Sequence, residues 1–315
     1  MEGRCAMRKQ LMIEKGAKGL FLICASLSVL MVAIISVFIF FKGAPAMFKI
    51  GVLDFIFGTT WQPTAEIFGI FPMIVASLLA TALSVAFSTF VGIMVAVFLA
   101  ELAPKRTGRV IRSAIDLLAG IPSVVYGFFG MMVVVPFVRS LLGGPGNSLM
   151  AVAIILSIMV LPTIISISVD AIQAVPREYK EGALALGASQ IQTIFRVILP
   201  AAKQGIIAGV VLGAGRAIGE TMAVVLVAGN RPAIPQVALD PSLGIGSFFT
   251  NIGLTITGWL GSPVRTLTAN VAMEMSYASG LHQEALFATG VVLFIFIMIL
   301  NLIVRLVVRR GNGNA

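Results

Sequence analysis

Residues 175–200 read VPREYKEGALALGASQIQTIFRVILP and lie between two long, largely apolar stretches. Pro176 stands where a helix can begin, and Glu178 and Glu181 follow in the early turns, where the positive end of the helix dipole favours acidic side chains. Gly187 is suited to ending that helix. The pattern predicts a short amphipathic helix and a turn, whose apolar face needs a partner, either the membrane surface or another protein.

The composition of the chain indicates that its solvent is the lipid bilayer. Of its 315 residues, 58% are hydrophobic and 11% are charged, and the mean hydropathy is +1.04. An average soluble domain is about half apolar and about a quarter charged. Because surface-to-volume scaling leaves too much of a chain of this size exposed to hide such an excess, we exclude a water-soluble fold.

Six apolar stretches are long enough for membrane-spanning helices, which need about 20 apolar residues. Five of them carry no charge: 19–41, 71–100, 117–138, 149–169 and 285–304. The sixth, 204–228, is equally apolar except for Arg216 and Glu220. The first stretch is longer than the roughly 7 to 15 apolar residues of a signal peptide, so we expect an uncleaved anchor. The sequence therefore predicts an all-α integral membrane protein with six transmembrane helices.

The basic residues are divided unequally between the two sides of this topology. Sixteen of the 22 lie in the tails and loops of one side: Arg4, Arg8, Lys9, Lys15, Lys18, Lys105, Arg106, Arg109, Arg112, Arg177, Lys180, Arg196, Lys203, Arg305, Arg309 and Arg310. Five lie on the other side, namely Lys42, Lys49, Arg139, Arg231 and Arg265, and Arg216 falls inside a span. By the positive-inside rule both termini are cytoplasmic. The net charge of +9 is thus a topology signal, and we expect no nucleic acid as a partner.

This topology divides the chain into segments. They are a cytoplasmic tail over 1–18, an external loop over 42–70, a core over 71–308 that includes the cytoplasmic loop 175–203, and a cytoplasmic tail over 309–315. The stretch 242–261 is also free of charge. Its glycines and threonines favour a re-entrant or surface-lying segment over a seventh span. Trp61, in the external loop, is expected to anchor at the membrane interface.

Arg216 lies at the midpoint of the span 204–228. Placing Arg there costs about 2.5 to 3.5 kcal/mol on insertion scales, so it should face the bundle interior or a wet cavity. Glu220 follows four residues later on the same helical face, so the two side chains can pair. Two interpretations are open: a buried ion pair that fixes helix packing, or an Arg216 that offers its donors to a crossing oxyanion while Glu220 neutralises it between passages.

Three other polar residues have simpler interpretations. Glu101 and Asp170 lie at the cytoplasmic ends of spans, where solvation at the interface accounts for them. His282 is the single histidine of the chain, and no cluster of other ligands accompanies it in the sequence. We therefore expect neither a catalytic set nor a metal site.

The loop 175–203 resembles a known family. Glu181-Gly182-Ala183, three residues, Gly187, nine residues, Val197, one residue and Leu199-Pro200 follow the pattern E-A-A-x3-G-x9-I-x-L-P of the "EAA" loop of ABC importer permeases. Gly182 replaces the middle Ala, and Val197 replaces Ile. In that family the loop forms a coupling helix that docks on a separate cytoplasmic ATPase. The resemblance assigns coupling to Glu181, Gly182, Ala183, Gly187, Leu199 and Pro200, with Pro200 redirecting the chain toward the fifth span.

Further motifs narrow the resemblance to phosphate importer permeases. Residues 215–223, GRAIGETMA, resemble their fifth-span motif, and residues 58–63, 121–127 and 267–270 are similar to the PstC subunit type. The sister permease PstA shares the fifth-span motif but is a poorer match before the second span. The resemblance implies the type I, MetI-like permease fold with phosphate as cargo, and Arg216 and Glu220 as residues of the substrate pathway.

The resemblance also implies an assembly in the bacterial cytoplasmic (inner) membrane. Its members would be this chain, a PstA-like sister permease, two copies of a PstB-like ATPase and a PstS-like external phosphate-binding protein. The chain has no G-x-x-x-x-G-K-[ST] phosphate loop, so ATP and Mg²⁺ would be used by the partner, and this chain would be a non-catalytic subunit without a bound cofactor. Sulfate or molybdate would satisfy the same guanidinium, and an ion-coupled secondary anion transporter is the weaker alternative.

Overall fold

The structure, a computed structural model, describes the backbone of residues 2–234 and 257–311 and the side chains of residue 14 and of residues 16–234 and 257–302. Within these residues six helical segments are long and apolar enough to cross a membrane: Gly16–Ile50, Phe71–Leu102, Ser123–Leu142, Leu149–Gln173, Gln190–Gly219 and Leu281–Leu302. The predicted all-α architecture with six spans is confirmed.

The first part of the chain contains more secondary structure than the expected span and external loop. Its elements are α1 (Glu2–Ile50), α2 (Val52–Phe57) and an antiparallel hairpin of β1 (Trp61–Gln62) and β2 (Ile67–Phe68). Helix α1 continues past the expected end of the span at residue 41. Ala46 in this extension is fully buried in a cluster with Phe55 and Leu286, and such packing stabilises a helix beyond its intrinsic propensity.

The second and third spans differ in how they are built. Helix α3 (Phe71–Val97) ends in a π-helical turn, Phe98–Leu102, and is followed by a separate amphipathic helix, α4 (Lys105–Gly120). The third span consists of α5 (Ser123–Phe129), a π-helical turn (Gly130–Val134) and α6 (Val135–Leu142). It begins at Ser123 and not at residue 117, because Pro122 holds the preceding Ile121 in an extended conformation.

The second half of the chain contains the remaining spans. Its elements are α7 (Leu149–Gln173), α8 (Arg177–Ala185), α9 (Gln190–Thr193), a π-helical turn (Ile194–Ile198), α10 (Leu199–Gly219), α11 (Met222–Val227), α12 (Leu267–Glu274) and α13 (Leu281–Gly311). The fifth span begins earlier than residue 204, at Gln190, and its continuous part ends at Gly219. The expected re-entrant or surface segment 242–261 lies outside the described residues except for a helical turn at 257–261.

Helix α7 is the centre of the bundle and packs against both α3 and α10. Along α3, small residues recur at every fourth position and are buried: Ala76, Ala80, Ser84, Ser88, Gly92 and Ala96. The Ser88 hydroxyl donates to the Ser157 carbonyl at 2.9 Å, and the Ser157 hydroxyl donates back to the Ser84 carbonyl at 3.3 Å. Small side chains let the two helices approach, and the serine hydroxyls bond across the contact.

The glycines of α10 face α7. A Cβ added at Gly213 would lie 2.7 Å from a methyl carbon of Val160, one at Gly209 would lie 3.1 Å from Ile167, and one at Gly205 would overlap Ala171. These glycines at spacing four therefore pack against the neighbouring span α7. This contact fixes the orientation of the helix that carries Arg216.

Candidate transport pathway and coupling surface

Arg216 lies in the last turn of α10 and is half-buried. Its Nη1 donates to the Thr163 hydroxyl of α7 at 3.3 Å, and the Tyr126 hydroxyl is within electrostatic range of the guanidinium. None of the ion pairs among the described side chains includes Arg216. A guanidinium has five N–H donors, so a single hydrogen bond leaves most of its donor capacity for another acceptor.

The fifth span breaks at Glu220, which has extended backbone angles (φ −69°, ψ 132°) between α10 and α11. Its carboxylate accepts from the Ala223 amide at 3.3 Å and so satisfies one of the N–H groups left free at the start of α11. Among the described side chains, Arg216 and Glu220 do not form the ion pair that was one of the two open interpretations. Pairing at i and i+4 requires a continuous helix, and the chain leaves the helix before Glu220.

Three of the sequence motifs meet at this break. Gly127, from the motif 121–127, packs against α11, where an added Cβ would lie 2.6 Å from a methyl carbon of Leu226. Thr268, from the motif 267–270, donates its hydroxyl to the Glu220 carbonyl at 2.9 Å. Segments distant in the sequence thus surround the interrupted part of the fifth span.

Helix α8 is the amphipathic helix expected in the loop 175–203. Glu181 and Gly182 are exposed on it, and Ala183 is half-buried. Large apolar side chains are also exposed on this helix, at the residue after it, on α9 and on the following π-helical turn: Tyr179, Leu184, Leu186, Ile191 and Phe195. We call these five side chains and the exposed residues Glu181 and Gly182 the coupling surface. Within the described chain few side chains pack over this surface, so it is available to a partner.

Gly187 ends α8 in the left-handed conformation, with φ +83°. Its amide donates to the Leu184 carbonyl at 3.0 Å, and the Ala188 amide donates to the Ala183 carbonyl at 3.2 Å. These two bonds form a Schellman motif, which satisfies the last carbonyls of the helix and favours glycine at this position. The prediction that Gly187 ends the helix is confirmed.

Leu199 and Pro200 begin α10, directly after the π-helical turn Ile194–Ile198. The expectation that Pro200 redirects the chain is wrong, because the helical segment runs through this point from Gln190 to Gly219. Proline has no N–H to continue the regular pattern of i to i−4 bonds. The turn accommodates it with a wider bond, in which the Leu199 amide donates to the Ile194 carbonyl.

A buried charged cluster at the other end of the bundle is the main feature that the sequence did not indicate. Glu274, at the end of α12, has a side chain only 7% exposed. Its carboxylate accepts from Trp61 Nε1 at 2.9 Å and from Arg265 Nη1 at 2.6 Å, and lies 2.8 Å from His282 Nε2. Arg265 also donates to Asn270 Oδ1 at 3.0 Å. We call Trp61, Arg265, Glu274 and His282 the outer cluster.

The outer cluster corrects the interpretation of Trp61 and supplies partners for Arg265 and His282. Trp61 is buried and does not face the membrane interface, Arg265 is neutralised by a carboxylate, and His282 has partners. The separation of Trp61 and Glu274 by 213 positions explains why no local pattern could reveal the contact. No group of three His, Cys, Asp or Glu side chains that could hold a metal ion is present among the described residues.

Comparisons with known proteins agree with this architecture. Residues 88–312 match the family described as "Binding-protein-dependent transport system inner membrane component". The chain is 38% identical over 260 residues to a probable ABC transporter permease protein, YqgH, of Bacillus subtilis, with 81% of this chain and 84% of that protein covered. It is 34% identical over 278 residues to the phosphate transport system permease protein PstC of Mesorhizobium japonicum, with 82% and 78% covered.

Solved structures share the fold at low sequence identity. An inward-facing structure of the MetNI methionine ABC transporter aligns with a TM-score of 0.54 and 17% identity, covering 80% of this chain and 99% of that chain. A bacterial ABC transporter involved in the import of the acidic polysaccharide alginate aligns with a TM-score of 0.54 and 16% identity, covering 90% and 95%. The chain therefore belongs to the family of inner membrane components of binding-protein-dependent transport systems and has the MetI-type fold of ABC importer permeases.

Proposed function

We propose that this chain is the permease subunit of an ATP-driven phosphate importer and forms half of the translocation pathway. The observation that carries the proposal is Arg216, a half-buried guanidinium with unused donors beside a break in the fifth span. Relatives that are 30% to 34% identical over most of this chain and carry the name PstC support phosphate as the cargo.

The chemistry of Arg216 matches an oxyanion. A guanidinium is always charged and presents a planar fork of donors that fits phosphate oxygens. Half-buried in the bundle, it attracts an anion more strongly than a fully exposed arginine does. Transport also requires release, and the Glu220 carboxylate, held four residues away by its bond to the Ala223 amide, supplies negative charge that limits how tightly the anion is retained.

The coupling surface supplies the second half of the proposal. A separate ATPase docks on α8 through its exposed apolar side chains and Glu181, and the motion of α8 reaches the fifth span through α9 and the π-helical turn Ile194–Ile198. ATP and Mg²⁺ are bound by that ATPase, and this chain is a non-catalytic subunit without a cofactor of its own.

The assembly consists of this chain, a sister permease, two ATPase copies and an external phosphate-binding protein. It lies in the bacterial cytoplasmic membrane with both termini of this chain in the cytoplasm, as the distribution of basic residues indicates.

Substitution of Arg216 tests the substrate role. In membrane vesicles that contain the full complex, Arg216→Gln should lower ATP-dependent uptake of labelled phosphate at least about tenfold, because a hydrogen bond to a charged group is worth about 1.5 to 3 kcal/mol. Arg109→Gln, which removes an exposed arginine from α4, is the matched control and should leave uptake unchanged. Unchanged uptake by an Arg216→Gln complex that inserts and assembles normally would refute the role of Arg216.

The same vesicles identify the cargo. Labelled sulfate and molybdate are offered beside phosphate at equal concentration, and preference for phosphate is expected. Preference for one of the other oxyanions would keep the permease assignment and change the substrate. Anion uptake that persists without the ATPase would indicate an ion-coupled secondary transporter instead.

A further inference from the structure

Glu101 lies in the π-helical turn Phe98–Leu102 that ends the second span. Interface solvation was expected for it, but its side chain is only 11% exposed and forms an ion pair with Lys180 of α8, whose side chain is 36% exposed. The bond joins Lys180 Nζ to Glu101 Oε2. The expectation is therefore wrong: a nearly buried carboxylate ties the span to the helix that carries the coupling surface.

Helix α8 has few other attachments to the bundle. It packs mainly against α9 and the π-helical turn Ile194–Ile198, and no residue of α8 is fully buried. A cavity of about 660 Å³ lies beside the ion pair, lined by Glu101, Lys180, Gln173, Leu184 and neighbouring residues. The ion pair thus spans a region where α8 is not closely packed and has room to move.

The burial of Glu101 favours keeping the ion pair intact. The Glu101 side chain is 11% exposed and that of Lys180 is 36% exposed, so separating the two leaves a nearly buried carboxylate without compensation, which is unfavourable. A displacement of α8 that separated Lys180 from Glu101 would incur the same cost. The second span is therefore expected to follow α8. The connection ends in a π-helical turn at Glu101, and such turns are irregular positions of a helix that often occur at functional sites.

We propose that the ion pair of Lys180 and Glu101 is a positioning contact that transmits the movement of α8 to the cytoplasmic end of the second span. It acts in parallel with the covalent path through α9 into the fifth span, so that one coupling helix moves two spans together. This inference rests on the proposed function, because the movement of α8 is the response to an ATPase docked on the coupling surface.

The coupling ratio, which is the number of ATP molecules hydrolysed per phosphate imported, tests this inference. The complete complex is reconstituted in proteoliposomes, and the ratio is measured for Glu101→Gln, Lys180→Met and the double variant. Each single variant should raise this ratio at least about fivefold, the lower end of typical coupling between sites. The double variant should be no worse than the more severe single variant, because both substitutions remove the same contact.

Two further variants separate transmission from a general loss of charge. Lys180→Arg retains a cation for Glu101, so the ion pair persists. The coupling ratio of this variant should stay within about twofold of that of the unsubstituted complex. Lys105→Met removes an exposed lysine from α4 and should have no effect. Unchanged ratios in both single variants, or losses that multiply in the double variant, would overturn the proposal.

If the single variants do not assemble with the ATPase, the same comparison is made on co-purification. A double variant that assembles as well as the better single variant supports the paired role, and additive losses contradict it. Failure of the unsubstituted complex to import phosphate with ATP would refute the proposed function itself. Normal import together with normal coupling ratios in Glu101→Gln and Lys180→Met would refute only the inference about the ion pair.

Discussion

At the scale of single residues, Arg216 and Glu220 show how position changes the role of a charge. The sequence places them four residues apart in one apolar stretch, and a continuous helix would pair them. The structure ends that helix at Gly219, and Glu220 accepts a bond from the start of α11. Arg216 bonds to a neutral partner, Thr163. The guanidinium therefore has no carboxylate partner among the described side chains, as the proposed oxyanion site requires.

Gly187 permits a prediction at the same scale. Its φ of +83° disfavours any residue with a Cβ by about 1 to 2 kcal/mol. Gly187→Ala should loosen the end of α8 and raise the amide hydrogen exchange rates at residues 187 and 188 about fivefold, because 1 kcal/mol is a factor of about five.

Gly182→Ala is the matched control for this substitution. Gly182 lies inside α8, and an added Cβ meets nothing within 4 Å. Alanine favours a helix interior over glycine by about 0.5 to 1 kcal/mol, so exchange within α8 should become slower. Equal effects of the two substitutions would contradict the left-handed helix end at Gly187.

At the scale of elements, the outer cluster holds the hairpin, α12 and α13 together. Glu274 receives donors from Trp61 of β1 and from Arg265, and His282 of α13 lies beside it. Lys49 and Glu284 form a second connection nearby, but their side chains are 60% and 36% exposed. A buried charge depends on its partners, whereas an exposed ion pair contributes little.

This difference in burial predicts how two substitutions change the free energy of unfolding. Trp61→Phe keeps an aromatic ring but removes the indole N–H, and should lower the free energy of unfolding by about 1 to 3 kcal/mol, because a buried acceptor loses a partner. Lys49→Met should cost less than about 1 kcal/mol. Thermal denaturation of the purified protein in detergent measures both, and a Lys49→Met variant as destabilised as Trp61→Phe would contradict the importance of the outer cluster.

The positions of the spans could be predicted from the sequence, whereas some helix ends and long-range contacts could not. Apolar stretches located all six spans, because the bilayer sets their length and composition. Helix ends were less predictable where proline intervened: Pro122 delays the third span to Ser123, and Pro200 is absorbed by a π-helical turn. Glu101 could not be assigned a partner, because Lys180 lies 79 positions away and no local period connects them.

At the scale of the whole molecule, the two features that the proposed function requires lie in different parts of the structure. One end presents α8 with its exposed apolar side chains and the ion pair of Lys180 and Glu101. The bundle between α7 and α10 holds Arg216 beside the interrupted fifth span. An importer driven by a separate ATPase needs both features, and here the helical segment Gln190–Gly219 joins the coupling loop to Arg216 without interruption.

The most direct test of this account measures labelled phosphate uptake into proteoliposomes that contain this chain with its sister permease, with and without the ATPase. The external phosphate-binding protein is added outside and ATP is enclosed within. Phosphate accumulation is expected to require both ATP and the ATPase, and excess sulfate is expected not to reduce it. Accumulation of equal size without the ATPase, or no accumulation by the complete assembly, would contradict this account.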